Sequence, residues 1–301
     1  MPLMTGGKAV VESLKREGVE IVFGLPGVQI MSIFDAFYGE RDIRLITVRH
    51  EQSAVYMADG YARIKGKPGV GLVVPGPGVQ NALAALGTAY ACSSPVLLLA
   101  GQVESKDLGS NLGALHEVND QLDQVRPVTK WCSRVMRVEE IPAAIHQAMR
   151  QMNTGRPRPT EVEIPWDILR SAAEVEFLPQ EAPVRSIPDR MSIQRAAELL
   201  AQAQKPFIWA GGGAILADAS PELRELVEFL GAPVGTTAEG KGSISEDHPL
   251  SLGGGYYGFG ASRWALPRVD VALAIGTRLS WLQMRPGTAL KPPQKLIQID
   301  A

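Results

Sequence analysis

The amino-acid sequence predicts an α/β fold built from two doubly wound domains, each with a parallel sheet. Short segments rich in Val, Ile and Leu alternate with segments whose apolar residues recur at helical spacing, first from residue 8 and again from residue 193. The predicted strands are short, continuous and rich in Val, Ile and Leu, which is typical of parallel strands that helices cover on both faces. Prolines interrupt the alternation over residues 171–190, where we expect an extended linker.

Each predicted element follows from the spacing of its apolar residues. The first series predicts helices over 8–17, 30–38, 51–64, 79–91 and 141–152, and strands over 20–23, 44–48, 69–74, 96–100 and 161–164. The second series predicts helices over 193–203 and 221–230, and strands over 206–210, 232–235, 269–275 and 295–299. Because the sequence stops directly after a strand, we expect a fragment whose second domain is truncated. The predicted division is a domain over 1–170, a linker over 171–190 and a second domain over 191–301.

Composition and charge argue against several classes of protein. The formal net charge is -2 with both signs interspersed, whereas binding to a nucleic-acid backbone needs clustered Lys and Arg. Cys92 and Cys132 stand far apart, so we expect neither a disulfide framework nor a paired metal site. No apolar run approaches the roughly 20 residues that span a bilayer. We therefore expect a cytoplasmic protein that binds neither nucleic acid nor membrane.

A carboxylate stands where a predicted strand passes into a predicted helix. Glu51 follows the strand over 44–48 and opens the helix over 51–64. In open parallel sheets, ligands bind outside the carboxyl ends of the strands, which is where this carboxylate is expected. The helix dipole alone also favours a glutamate in a first turn. Glu51 by itself therefore leaves a ligand-binding and a purely structural interpretation open.

Two glycine- and proline-rich turns favour the ligand-binding interpretation. Residues 24–27 and 75–78 each follow a predicted strand and lead into a helix at the same edge as Glu51. Glycine lets backbone approach a ligand closely, and proline fixes the shape of the turn. Asn81 follows the second turn and could cap its helix or bind a ligand. Because three features converge on one edge of the sheet, they predict a pocket.

Two further stretches carry weaker signals. His116 and Glu117 lie in the loop-like stretch 109–120, where a histidine is a candidate for proton transfer or a solvated loop residue. The glycines at 211–213 suggest a dinucleotide site, but Leu216 stands where the fingerprint requires a small residue. The other histidines show no mutual ligand spacing, so we assign no metal ligand in this chain.

Several motifs together resemble the thiamine-diphosphate-dependent enzymes of the acetolactate synthase and 2-oxo acid decarboxylase family. They are Phe23-Gly24-Leu25-Pro26-Gly27, Arg49-His50-Glu51 with 58–63, Pro75-Gly76-Pro77-Gly78 with Asn81, and the segments 101–103, 155–157, 164–165, 205–213, 246–249, 274–278 and 297–300. The resemblance covers essentially the whole chain. It implies a pyrimidine-binding domain followed by a central domain, and the family's third, diphosphate-binding domain is missing.

The resemblance also implies roles for individual residues. Glu51 would hydrogen-bond N1′ of the cofactor's aminopyrimidine and favour the imino tautomer that takes the proton from thiazolium C2. The pyrimidine slot would be lined by Pro26, Gly27, Pro75 and Gly76, with Asn81 nearby. The loop that contains His116 resembles the histidine-bearing loop of pyruvate decarboxylases, so His116 is a second catalytic candidate.

Thiamine diphosphate with Mg²⁺ is the implied cofactor, and the absent third domain would hold the diphosphate and the metal. A structural FAD stays open. Arg156 matches an FAD-contacting arginine of some acetolactate synthases, whereas the stretch 278–283 departs from the Arg-Phe-Asp-Asp-Arg pattern of FAD-containing members. This departure weighs against FAD.

The function implied is that of the N-terminal part of an acetolactate synthase-like transferase or lyase. Such an enzyme decarboxylates a 2-oxo acid such as pyruvate and transfers the enamine to a second carbonyl. We expect a homodimer or homotetramer, and an inactive chain when it stands alone. The alternatives are a family decarboxylase or lyase for aromatic 2-oxo acids or acyl-CoA, and a non-catalytic remnant that binds a nucleotide or a partner subunit.

Overall fold

The computed structural model describes residues 1–181, 187–254, 261–280, 290 and 293–301. The chain divides into two compact units, Met1–Arg185 and Ser186–Ala301. In the first unit the strands are β1 (Leu3–Thr5), β2 (Ile21–Gly24), β3 (Arg44–Thr47), β4 (Gly69–Val73), β5 (Val96–Gln102), β6 (Trp131–Arg134), β7 (Thr160–Pro165) and β8 (Ala172–Glu174). Its helices are α1 (Gly6–Arg16), α2 (Met31–Ala36), α3 (Glu51–Lys65), α4 (Pro77–Cys92), α5 (Gln121–Val125), α6 (Ile141–Asn153) and α7 (Trp166–Arg170).

Six strands of the first unit form one parallel sheet in the order β3-β2-β4-β5-β7-β6. Alternate residues of β5 enter two separate apolar cores: Leu97 and Leu99 pack on the face covered by α1 and α6, and Leu98 packs on the face covered by α3 and α4. Because both faces are covered, β4, β5 and β7 are buried along their whole length. This architecture confirms the predicted fold class.

The second unit has the same kind of architecture on a smaller scale. Its parallel sheet has the order β11-β10-β9-β12-β13. The strands are β9 (Pro206–Ala210), β10 (Val234–Thr236), β11 (Ser251–Gly254), β12 (Val271–Ile275) and β13 (Lys295–Ile299), and the helices are α8 (Arg190–Ala201), α9 (Gly212–Leu216), α10 (Ser220–Leu230) and α11 (Ala261–Ala265). Short 3-10 helices occur at Val28–Ile30, Ser105–Asp107, Arg126–Val128, Val138–Glu140 and Leu266–Arg268.

Part of the predicted linker is a strand. β8 lies within residues 171–190 and pairs antiparallel with β1, with Leu3 opposite Glu174 and Thr5 opposite Ala172. Val175, which comes after β8, is fully buried. A three-residue strand is too short for its periodicity to stand out beside several prolines, so the sequence pattern did not reveal it. Residues 182–186 of the predicted linker lie outside the described residues.

Some other elements also carried no clear sequence signal. β6 is one of them, because its four positions are all half-buried and its residues mix an aromatic ring, a thiol, a hydroxyl and a guanidinium. Such a strand, at the edge of the sheet, shows neither a continuous apolar run nor an alternation. Among the helices that the structure describes, none is long and apolar enough to cross a membrane.

Candidate functional site

Glu51 is the first residue of α3 and lies at the carboxyl edge of the six-stranded sheet. The helix begins after His50, whose Nδ1 accepts the N–H of Gln52 at 3.2 Å. The Glu51 side chain turns inward, and only 7% of the residue is exposed. Its Oε2 accepts a hydrogen bond from Nδ2 of Asn81 at 2.9 Å. The structure therefore joins two of the predicted site residues, and this contact orients the Glu51 carboxylate.

The turn after β2 packs against the end of β4. A Cβ atom added at Gly27 would lie 2.2 Å from Cγ1 of Val74, the residue before Pro75. A larger residue at position 27 would therefore push the two turns apart. Pro75 and Gly76 are buried, whereas Pro26 is exposed. The two predicted turns thus meet at one edge of the sheet.

Gly76 packs against the loop that contains His116. Its backbone angles, φ 55° and ψ -110°, belong to a region that side chains disfavour, and a Cβ there would lie 2.3 Å from the carbonyl oxygen of His116. In the 3-10 helix that follows the other turn, Nε2 of Gln29 donates to the carbonyl oxygen of Leu115 at 3.0 Å. The loop therefore rests on both turns, and His116 is brought to the same edge as Glu51.

His116 itself has a positive φ of 69°. Its Nδ1 is buried and lacks a hydrogen-bond partner among the described residues. A buried ring nitrogen without a partner costs free energy unless a ligand or a water molecule reaches it. This observation fits a residue that contacts a ligand in the loaded site.

Glu117 has a structural part in the loop. Its carboxylate accepts the N–H groups of Asn111, Gly113 and Ala114 at 2.7, 2.7 and 2.9 Å. Burial raises the pKa of Glu117, but these backbone donors outweigh it and leave the pKa below its ordinary value. The ionised side chain therefore folds the loop around itself, which holds its neighbour His116 in place.

A buried polar relay lies behind the Gly76 turn, and sequence reasoning missed it. Gln121 is fully buried, and its Oε1 accepts the N–H of Gly76 at 2.9 Å. Its Nε2 donates to the carbonyl oxygen of Gly101 at 3.1 Å and to Oε2 of Glu163 at 2.7 Å. Nε of Arg134 donates to Oε1 of the same glutamate. The relay links the ends of β4, β5, β7 and β6.

Glu163 and Glu161 lie on one face of β7 in different surroundings. Burial raises the pKa of Glu163, and the guanidinium of Arg134 opposes this effect. Both carboxylate oxygens of Glu161 are buried without a hydrogen-bond partner among the described residues. Burial, together with the charge of Glu163 as the smaller cause, raises the pKa of Glu161 well above its ordinary value. Glu161 is therefore a carboxyl group that the fold keeps in its protonated form.

Arg156, the residue considered for FAD, does not join this cluster. It lies between α6 and β7, at the amino ends of the strands, and its carbonyl oxygen accepts a hydrogen bond from Lys130 Nζ at 3.0 Å. Residues 281–283 of the stretch that weighed against FAD lie outside the described residues. The described residues also contain no group of three His, Cys, Asp or Glu side chains arranged to hold a metal ion.

The glycines at 211–213 pack against a second glycine turn of their own unit. The N–H groups of Gly211 and Gly213 donate to the carbonyl oxygens of Ile275 and Gly276 at 2.8 and 2.9 Å. A Cβ at Gly211 would lie 2.3 Å from the Gly276 oxygen. Close packing of backbone on backbone accounts for these glycines without a dinucleotide.

Two family models match the chain. Residues 4–126 match the model described as "Thiamine pyrophosphate enzyme, N-terminal TPP binding domain", and residues 193–301 match "Thiamine pyrophosphate enzyme, central domain". The first match lies within the first unit and the second lies within the second unit.

Curated proteins align along nearly the whole chain. A probable acetolactate synthase large subunit of Methanocaldococcus jannaschii is 39% identical over 99% of this chain and 51% of its own length. A probable 2-ketoarginine decarboxylase of Pseudomonas aeruginosa is 39% identical over 99% of this chain and 53% of its own. The acetolactate synthase large subunit of Corynebacterium glutamicum is 37% identical over 99% of this chain and 48% of its own length. The chain thus spans about half the length of these relatives.

Proposed function

Because the chain belongs to the thiamine pyrophosphate enzymes, we propose that it supplies the pyrimidine-binding half of an acetolactate synthase-like active site. The complete enzyme would decarboxylate a 2-oxo acid such as pyruvate and transfer the remaining group to a second carbonyl. One observation carries the proposal: the buried carboxylate of Glu51 is held by Asn81 at 2.9 Å, at the edge where the Gly27 and Gly76 turns meet.

The residues present fit an aminopyrimidine ring. One oxygen of Glu51 is satisfied by Asn81, and among the described residues no second side chain donates to the carboxylate. A Cβ at Gly78 would lie 3.5 Å from Oε1 of Glu51, so glycine keeps the space beside that oxygen free of a side chain. A ring nitrogen that carries a proton is the group that such a site accepts. Pro26, Gly27, Pro75 and Gly76 would line the slot around the ring.

When bound, thiamine diphosphate would supply the electron-accepting group that lets a 2-oxo acid lose CO₂. Glu51 would hold a proton at the pyrimidine N1′ atom. Asn81 would keep the carboxylate in the orientation that this contact needs, because a general acid acts only within hydrogen-bonding distance. Burial of Glu51 excludes water from the contact and strengthens it.

His116 is our second catalytic candidate. Its Nδ1 is buried without a partner among the described residues, and its loop packs against the Gly76 turn. Both observations support a role in moving a proton to or from the substrate. In the complete protein, other parts would hold the diphosphate and the Mg²⁺ ion. We propose that the active unit is a homodimer or homotetramer and that the protein is cytoplasmic. We do not include FAD in the proposal.

The test compares CO₂ release from pyruvate and a panel of 2-oxo acids by the protein that contains this chain, supplied with thiamine diphosphate and Mg²⁺. Glu51→Gln should lower kcat by about 100-fold or more, because an amide can neither give nor take the proton at N1′. Glu222→Gln is the matched control, since Glu222 also lies in a helix's first turn but is exposed and in the other unit. If no 2-oxo acid releases CO₂, the proposal is wrong.

A second candidate is a decarboxylase that releases its product without transfer. The 39% identity to a probable 2-ketoarginine decarboxylase supports it. Product analysis separates the two functions. Acetolactate from pyruvate indicates the transferase, whereas an aldehyde from a larger 2-oxo acid indicates the decarboxylase.

A further inference from the structure

The relay behind the Gly76 turn contains more buried polarity than the fold alone requires. Gln121 and Glu163 have fully buried side chains. A buried carboxylate and a buried amide are costly unless each hydrogen-bonding group has a partner. Here every heteroatom of the Gln121 side chain has one. These hydrogen bonds therefore fix the position of the Gln121 side chain, which a residue that only fills space would not do.

We propose that Gln121 is a positioning residue, through which the Glu163–Arg134 ion pair fixes the Gly76 turn and the loop that carries His116. The identity of the ligand that binds beside this turn rests on the function proposed above. The mechanical link itself is independent of it, because it consists of hydrogen bonds between residues of this chain.

The chemistry of the carboxamide explains why a glutamine is needed at this position. Gly76 presents an N–H group, so the side chain must offer an acceptor towards β4. Glu163 and the carbonyl of Gly101 present acceptors, so it must also offer a donor towards β5 and β7. Glutamate has the same shape but no donor, and it would place two carboxylates at hydrogen-bonding distance.

The position of Gly76 is transmitted to the site through direct contacts. The carbonyl of His116 occupies the space where a Gly76 side chain would begin, 2.3 Å from that Cβ position. Gly78, two residues later, borders the Glu51 carboxylate. A shift of the Gly76 turn would therefore displace both catalytic candidates together, and displacements of this kind lower catalytic rates strongly.

The experiment measures amide hydrogen exchange of the chain over residues 74–80 and 114–118. Gln121→Glu should raise the exchange rate of the Gly76 amide by about tenfold or more, since the loss of the donor and repulsion from Glu163 displace the side chain that accepts the Gly76 N–H group. The double variant Gln121→Glu/Glu163→Gln restores a donor to the pair and should recover part of the protection. Gln124→Glu, the same charge change on the same helix, should leave both segments within about twofold of wild type.

Unchanged exchange at Gly76 in Gln121→Glu would overturn the proposal, because it would show that the turn keeps its place when the hydrogen bond from residue 121 to Glu163 is lost. Equal exchange in the single and double variants would also overturn it. Should Gln121→Glu not fold, Gln121→Met replaces it, with the same expectation of faster exchange. Binding of thiamine diphosphate to the wild-type protein, measured by calorimetry, tests the proposed function separately, since the exchange measurements need no cofactor.

Discussion

The glycine turns at the carboxyl edges of the two sheets are held in different ways. In the first unit, the N–H of Gly76 donates to a side chain, Gln121, which is hydrogen-bonded to the buried carboxylate of the Glu163–Arg134 ion pair. In the second unit, the N–H groups of Gly211 and Gly213 donate to backbone oxygens of Ile275 and Gly276. Both kinds of contact measure 2.8–2.9 Å.

The difference shows which of the two turns is supported by a buried charged group. A turn that backbone can hold needs only glycines that allow close approach. A turn held by a carboxamide and an ion pair requires the desolvation of charged groups, which costs free energy. The first unit carries that cost behind the edge where Glu51, Asn81 and His116 meet. Substitutions that affect one kind of support and leave the other intact test this comparison.

The largest effect is expected for Glu163→Leu, which removes the acceptor shared by Gln121 and Arg134. Both donors then stay buried or half-buried without their partner, so the free energy of unfolding should fall by about 4 kcal/mol. Urea unfolding followed by circular dichroism measures the loss. A loss below about 1 kcal/mol would mean that the relay does not stabilise the first unit.

The second unit should be most sensitive to Gly276→Ala. Gly276 has a φ of 60°, and a Cβ there would lie 2.3 Å from the backbone N of Ala214. Backbone strain and overpacking together should cost about 3 kcal/mol of the free energy of unfolding. Gly231→Ala is the control, because Gly231 has a similar φ of 57° in open space and should cost about 1 kcal/mol. Similar losses in the two variants would show that close packing against the 211–213 turn contributes little.

The two glutamates of β7 should respond in opposite directions. Glu161→Leu replaces a buried carboxyl without a partner among the described residues by an apolar group beside Leu98 and Cys132. The free energy of unfolding should therefore rise by about 2 kcal/mol. The same urea titration as for Glu163→Leu measures it, and a decrease would contradict the structural account of Glu161.

The smallest effect, taken per pH unit, is the pH dependence of stability that Glu161 causes. In the folded chain the pKa of Glu161 lies well above 4.5, so folded Glu161 keeps its proton where the unfolded chain has lost it. Stability from this group is complete below about pH 4.5 and is lost as the pH rises towards the folded pKa, by at most about 1.4 kcal/mol per pH unit. The difference in unfolding free energy between wild type and Glu161→Leu isolates this slope. A difference independent of pH between 5 and 8 would contradict the raised pKa.

The sequence was sufficient for the parts of the fold that depend on local periodicity. The continuous apolar strands predicted parallel sheets, and the place of Glu51 between a strand and a helix predicted its position at the carboxyl edge. The contact between Glu51 and Asn81 agrees with the expectation that the two lie close together. The roles of Glu51, His116 and the turn residues stay predictions.

The relay could not be predicted because its members are distant in sequence. Gln121 and Glu163 are 42 residues apart, and a period of two shows only that Glu161 and Glu163 share a face of β7. The surroundings of that face depend on the packing of α5, a five-residue helix, and on the edge strand β6. A signal was present in the two acidic residues of this buried strand, since buried acids need partners.

The antiparallel pair of β1 and β8 has a consequence for how the first unit can be rearranged. Hydrogen bonds from Gly6 to Ser171 and from Val175 to Pro2 bring the two ends of this unit to one place, like the stem of a closed loop. Everything between them can fold as a self-contained module, and units with adjacent ends tolerate circular permutation and insertion into other chains. The stem therefore makes the first unit transplantable when residues up to 181 are kept, because Phe177 packs against its core and Gln180 donates to the carbonyl oxygen of Glu17.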